Sequence, residues 1–235
     1  MNLRITAFGQ SPKLTIRERA EKVFALHKKF CDIVQLHQWK LYNSKTIVID
    51  MRDQSSAFPE IYKQVKKGLN AKVAKPIRYQ ENDIADITSN CWFYNLNSKS
   101  FNAQYSIGYP SDYFPSILMT IENITDHVLF SKETIVKISK LFIEEWQPYT
   151  LCVTDSKYFH DLSKASEFHT PWTGWFTFLS NDLKQLPKNL KFKVDELATG
   201  RVVWTTDEYF SVDNENHVQN ALELENIFLR AGIRI

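Results

Sequence analysis

The sequence predicts an α+β fold of antiparallel sheets flanked by helices, and three observations carry that prediction. Between residues 91 and 121, short runs rich in β-branched and aromatic residues succeed one another without an intervening helical pattern, which suits an antiparallel meander. Elsewhere, apolar residues recur at helical spacing behind recognisable caps. The last third, Gly200 to Gly232, reads as a strand, an acidic bend and a closing amphipathic helix, one supersecondary unit. The chain has 235 residues, 43% hydrophobic and 24% charged, which is enough to bury a sizeable core. No Pro/Gly/Ser linker or internal repeat divides it, so residues 1–235 are expected to form one domain, with room for two pseudo-lobes.

Taken in order, Asn2 to Phe8 alternates Leu3, Ile5 and Ala7 with Arg4 and Thr6, the pattern of a short half-buried strand ended by Gly9 and Pro12. Thr15 and Glu18 form a capping box. The helix they open carries Ile16, Ala20, Val23, Phe24, His27, Phe30, Cys31 and Val34 on its apolar face. Trp39–Tyr42 and Thr46–Ile49 are short strands. Pro59 is expected to begin a short helix, Glu60 to Lys67, closed by Gly68. From Asn70 to Ser89 the periodicity fades, as in a long surface excursion with a binding role.

Cys91–Asn95, Asn102–Ile107 and Ile117–Ile121 supply the meander, with turns at Asn97–Ser100 and Gly108–Asp112. Ser131 caps a helix whose Ile135, Ile138, Leu141, Phe142 and Trp146 form one stripe, ended by Pro148. Tyr149–Val153 is a buried strand, and Asp155–Leu162 a short helix or turn. Pro171-Trp172-Thr173-Gly174-Trp175 enters a further strand, Phe176–Leu179. Two tryptophans flanking a glycine make either a stacking platform or the closed end of a core, the core being the commoner outcome. Arg201–Thr205 is a strand; the acidic bend holds Asp207, Glu208, Asp213 and Glu215 around Tyr209-Phe210. Val218 to Leu229 is the closing helix, with Gly232 as its C-cap.

Composition and motifs exclude more than they assign. The first residues lack the features of a signal peptide, and no window approaches a bilayer-spanning apolar stretch. Cys31, Cys91 and Cys152 are too scattered for a disulfide framework, so a cytoplasmic protein with no membrane partner is expected. The six histidines make no metal-ligand spacing. Asp50 and Asp53 follow a strand, yet no metal-and-lysine motif accompanies them. There is no phosphate-cradling glycine loop or nucleophile elbow, so neither an enzyme nor a cofactor is expected. A hydrolase with an unrecognised site would need a pocket of perturbed residues.

Charge is polarised, with 15 Lys/Arg against 6 Asp/Glu over residues 13–78 and 3 against 8 over residues 195–235. A basic N-terminal face of Arg17, Arg19, Lys28, Lys29, Lys63, Lys66 and Lys67 leaves nucleic-acid binding as the alternative function. It is not favoured, because Glu18, Glu21 and Asp32 share the same helix.

One segment carries a family pattern. Pro171-Trp172-Thr173-Gly174-Trp175-Phe176-Thr177-Phe178-Leu179, then Gly200-Arg201-Val202-Val203-Trp204-Thr205-Thr206-Asp207-Glu208-Tyr209-Phe210, Asp213-Asn214 and His217-Val218, resembles the C-terminal part of the immunity protein 52 family. Glu215 stands where that family tends to have proline. The resemblance implies a cytoplasmic α+β immunity protein of a bacterial polymorphic-toxin or type VI secretion system. Such a protein would bind a cognate toxin, commonly one with a restriction-endonuclease-like nuclease domain. On that reading Asp207, Glu208, Asp213 and Glu215 mimic phosphates in a basic cleft, with Trp172, Trp175 or Tyr209 as anchors. The plainer alternative makes the tryptophans core and the acids a cap for the last helix.

Overall fold

The computed structural model describes residues 2–9, 13–41, 47–70, 80–84, 89–96, 102–107, 116–126 and 128–235. Its ten strands are β1 (Leu3–Gly9), β2 (Gln38–Leu41), β3 (Ile47–Asp50), β4 (Ser89–Asn95), β5 (Asn102–Ile107), β6 (Ser116–Ile124), β7 (Thr150–Asp155), β8 (Phe176–Ser180), β9 (Lys193–Leu197) and β10 (Gly200–Trp204). They form one sheet rather than several, in the order β3-β2-β4-β5-β6-β1-β7-β8-β10-β9, and every neighbouring pair is antiparallel. The helices are α1 (Ile16–Val34), α2 (Gln54–Asn70), α3 (Lys132–Trp146), α4 (Ala165–Phe168) and α5 (Glu215–Ala231), with a π-helical turn at Tyr158–Leu162.

Strand register explains the core. One row of side chains crosses all ten strands: Ile47, Leu41, Phe93, Ala103, Ile121, Ile5, Val153, Phe176, Trp204 and Lys193. From Leu41 to Phe176 the row is buried and apolar; it is half-buried at Ile47 and Trp204 and exposed and charged at Lys193. On this face Tyr105 meets His27 of α1 and Phe142 and Trp146 of α3. Because successive strand residues point to opposite faces, Leu179 and Val203 lie on the other side, where α5 covers them with Leu224 and Phe228.

The capping box at Thr15 and Glu18 is present, as are the caps at Ser131 and Gly232, the last at φ 67°. Helix α2 departs from expectation. It starts at Gln54, with Pro59 inside it, because the Asp53 carboxylate receives the N–H groups of Ser55 (3.1 Å) and Ser56 (3.4 Å) and opens the helix a turn earlier. The charged edge strand β9 and the short α4 are also additional to the elements read from sequence. Tyr42, Thr46, both meander turns and most of the expected excursion lie outside the described residues. From that excursion, Ile84 bridges to Thr15 and the Glu81 carbonyl accepts the Arg17 N–H.

Gly200 is fixed by close approach. A β-carbon there would lie 2.1 Å from the Leu179 carbonyl oxygen and 2.7 Å from the Phe178 ring. Gly200→Ala must therefore spread β8 from β10, and a loss of about 1–3 kcal/mol in the free energy of unfolding is expected by urea denaturation.

Candidate partner-binding surface

The acidic bend begins where β10 ends. Thr205 is buried and ties the bend to the β8 entrance: its N–H donates to the Trp175 carbonyl (3.1 Å) and its hydroxyl to the Gly174 carbonyl. Phe210 is buried against Tyr158, with ring centroids 5.3 Å apart, and anchors the middle of the bend. Asn214 caps α5 by accepting the Asn216 N–H at 3.1 Å.

His217 organises what lies between. It is buried on the first turn of α5, and its Nδ1 accepts the Ser211 N–H at 3.2 Å. Nε2 lies 3.2 Å from the Asn214 side-chain amide nitrogen and 3.3 Å from the Thr206 hydroxyl, which in turn accepts the Glu208 N–H at 3.2 Å. One neutral imidazole thus links both arms of the bend. Burial lowers the His217 pKa, and the Glu208 carboxylate 3.8 Å away opposes that shift without reversing it.

The sign of the pH dependence follows. A histidine whose folded pKa is depressed contributes stability that is complete above its unfolded value, near 6.5, and is lost as pH falls through the folded value. His27, sealed against Phe93 and Trp39, is shifted in the same direction by burial. Denaturation midpoints are therefore expected to fall as pH is lowered from 7.5 towards about 5. His217→Gln should reduce that slope while His27 keeps it above zero.

The bend's carboxylates face outward. Asp207, Glu208, Asp213 and Glu215 are all exposed, and among the described residues no lysine or arginine lies within ion-pair distance of any of them. Tyr209 is half-buried, its ring 4.7 Å from that of Trp175 and its hydroxyl donating to the Phe130 carbonyl at 3.3 Å. Trp175 has no exposed surface, so it supports Tyr209 from below rather than offering a face of its own. Trp172, three residues earlier, belongs elsewhere: it stacks on Phe8 (4.3 Å) and Phe159 (5.5 Å) on the α5 side of the sheet. The structure thus brings Tyr209 and the four acids into one bend over Trp175, and gives Trp172 a separate packing role.

Trp204, which carries no functional signal in the sequence, has its indole half-exposed beside the bend and 5.5 Å from the ammonium groups of both Lys132 and Lys193. The one local hint was the run Lys188, Lys191 and Lys193, which leads into its partner strand β9 and keeps that edge in water.

The basic N-terminal face does not form as a free surface. Arg19 is buried, with Nε donating to the Leu14 carbonyl. Arg17 pairs with Glu21 and Glu81, Lys29 with Glu145 and Lys63 with Glu60, while Lys66 lies over the Tyr62 ring. Six of the seven basic residues therefore do not present free charge in one patch, and Lys28 lies half-buried on α1 beside them. Among the described residues, no group of three or more His, Cys, Asp or Glu is disposed to hold a metal ion, and no helix is long and apolar enough to cross a membrane.

These features define an α+β protein with an exposed acidic bend that His217, Thr205 and Phe210 tie to the sheet and to α5. The chain belongs to the immunity protein 52 family, whose model matches residues 62–234. The match begins in α2, far upstream of the segment that carried the resemblance. Among solved structures, the Pseudomonas aeruginosa T6SS protein PA0821 has a similar fold, with a TM-score of 0.60 and 12% sequence identity, covering 99% of this chain and 76% of that one. No curated protein matches the sequence. Family membership gives the chain the role of an immunity protein, and with it a cognate toxin as the partner.

Proposed function

We propose that the chain binds and neutralises a nuclease toxin with a restriction-endonuclease-like domain, delivered by a polymorphic-toxin or type VI secretion system. It acts by protein–protein contact in the cytoplasm and without catalysis of its own. The acidic bend enters the basic cleft that the toxin uses for phosphates. The observation that carries this reading is the set of four exposed carboxylates within nine residues, without a lysine or arginine partner among the described residues and on a bend tied together by His217. Unpaired like charges repel one another and cost stability. A preorganised cluster of them speeds encounter with a basic partner and limits the ordering cost of binding. The alternative, nucleic-acid binding by the N-terminal face, is disfavoured by the burial of Arg19 and the pairing of Arg17, Lys29 and Lys63.

The direct test is co-purification with the product of the adjacent upstream gene, together with rescue of cells expressing that product. A stable complex with rescue is expected. A chain that neither binds nor rescues would refute the proposal.

A further inference from the structure

The half-exposed end of the core row offers a second contact of opposite sign beside the acidic bend. Trp204 occupies the last position of β10, between Phe176 on β8 and Lys193 on the edge strand β9. Its ring is fixed on three sides: it packs on Phe176 at 4.6 Å, meets Trp175 edge-on at 6.5 Å, and its Nε1–H donates to the Asp195 carboxylate at 2.7 Å. An indole held this way loses little entropy when a partner covers it, which is the usual condition of a binding anchor.

The two ammonium groups beside it are only partly satisfied. Lys132 donates to the Asp207 carbonyl at 2.7 Å, and among the described residues no carboxylate lies within ion-pair distance of it. Lys193 is 61% exposed and stands 3.7 Å from an Asp195 oxygen that already accepts the indole N–H. Next to them a notch of about 270 Å3 opens, lined by Lys191, Lys193, Trp204, Thr206, Asp207 and Asn220. Lys191 is paired closely with Glu223, whereas Lys132 has only a carbonyl and Lys193 only a long contact to a shared carboxylate oxygen, so these two ammonium groups keep donors for a further acceptor.

We propose that Lys132, Trp204 and Lys193 form a cationic aromatic ridge that receives an acidic side chain of the toxin while the neighbouring bend engages its basic cleft. This rests on the toxin-binding reading above. Charge complementarity selects the occupant: a carboxylate gains from both ammonium groups, whereas a lysine or arginine would be repelled by them and drawn to the bend. Because Lys132 also holds the Asp207 carbonyl, the two surfaces are mechanically joined, and a partner must match a negative and a positive patch in fixed register. That pairing supplies specificity among toxins with similarly basic clefts.

The test measures affinity between the purified chain and the product of the adjacent upstream gene. Lys193→Gln removes the charge and Lys193→Glu reverses it, both at an exposed position. Trp204→Phe keeps the ring packing and removes the indole N–H. Lys193→Glu is expected to weaken the complex at least about tenfold. Lys193→Gln should do so less, and Trp204→Phe by several-fold or more. Lys193→Glu no worse than Lys193→Gln would overturn the carboxylate as occupant. A complex that forms normally and stays within about twofold for all three variants would overturn the ridge, leaving the toxin-binding reading standing. Absence of any complex with the unsubstituted chain would instead remove that reading and the ridge with it.

Discussion

Glu225→Ala is expected to lower the free energy of unfolding by about 3–5 kcal/mol. The carboxylate is 7% exposed on α5, and among the described residues no cation lies within ion-pair distance to balance it. Its charge is met by donors instead. One oxygen accepts the hydroxyls of Tyr158 (3.0 Å) and Ser163 (2.6 Å) and lies 3.1 Å from the Thr173 hydroxyl, whose one proton is shared with the Ala221 carbonyl (2.9 Å), and the other accepts the Lys164 N–H (3.2 Å). Those donors span the π-helical turn, the start of α4 and the loop into β8, so a single side chain fastens three segments to the last helix. Burial first, and the carboxylate second, push the Tyr158 phenol well above its ordinary pKa, which keeps it a donor at any working pH.

Alanine would leave several of these groups buried without an acceptor, and unmet donors cost more than a hydrogen bond contributes. Glu225→Gln preserves the shape but turns an N–H₂ towards a donor, so a smaller loss of about 1–2 kcal/mol is expected. Tyr158→Phe removes one donor and leaves the acceptor satisfied by the rest, and should cost about 1 kcal/mol. Urea denaturation of the three variants checks the order. A loss below about 1 kcal/mol for Glu225→Ala would mean that the hydroxyls find other acceptors and that the clamp has been misread.

The same residues mark where the sequence was legible. Helices α1, α3 and α5 could be read because their signals are local: the capping box at Thr15 and Glu18, the serine cap at Ser131 and the glycine stop at Gly232 each act within one turn. The start of α2 was misplaced because Pro59, usually a first-turn residue, sits a turn further in, and Asp53, weighed as a metal ligand, is the cap. Strand β1 looked half-buried from its alternation, yet all seven of its residues are buried. Arg4 is covered by Phe159 at 4.0 Å and pairs with Glu122 at 3.1 Å, contacts 155 and 118 positions away that no local pattern encodes. For the same reason Trp172 and Trp175, close in sequence, go to different packing environments, while Trp204 on β10 and Lys132 at the start of α3 meet only in the folded chain. The exposure of the four acids was legible because charge keeps carboxylates in water; the half-burial of Tyr209 over Trp175 and the place of His217 were not, since both depend on the fold of the bend around them.

The test of that organised charge is the simultaneous substitution of Asp207, Glu208 and Asp213 by Asn or Ser and of Glu215 by Ser. An affinity loss of about 10²–10³-fold for the product of the adjacent upstream gene is expected, mainly as slower association at low salt. The fold should survive, because the bend is held by groups that the substitutions leave in place: the Ser211 N–H to His217, the Thr206 hydroxyl, the Asn214 cap and buried Phe210. Stability should even rise slightly at low ionic strength, since four like charges no longer repel one another.

Salt provides the second readout. Complexes of the unsubstituted chain should weaken steeply as ionic strength rises, because exposed charges are screened within about 8–10 Å at 0.1–0.15 M. The substituted chain should have a much flatter dependence. His217→Gln separates charge from preorganisation: it keeps all four carboxylates but removes the neutral imidazole that fixes them. It should therefore bind more weakly while retaining a steep salt dependence. Unchanged affinity and an unchanged salt slope after neutralising all four acids would sink the cleft-mimic model and leave the carboxylates as a solvated rim around the α5 cap.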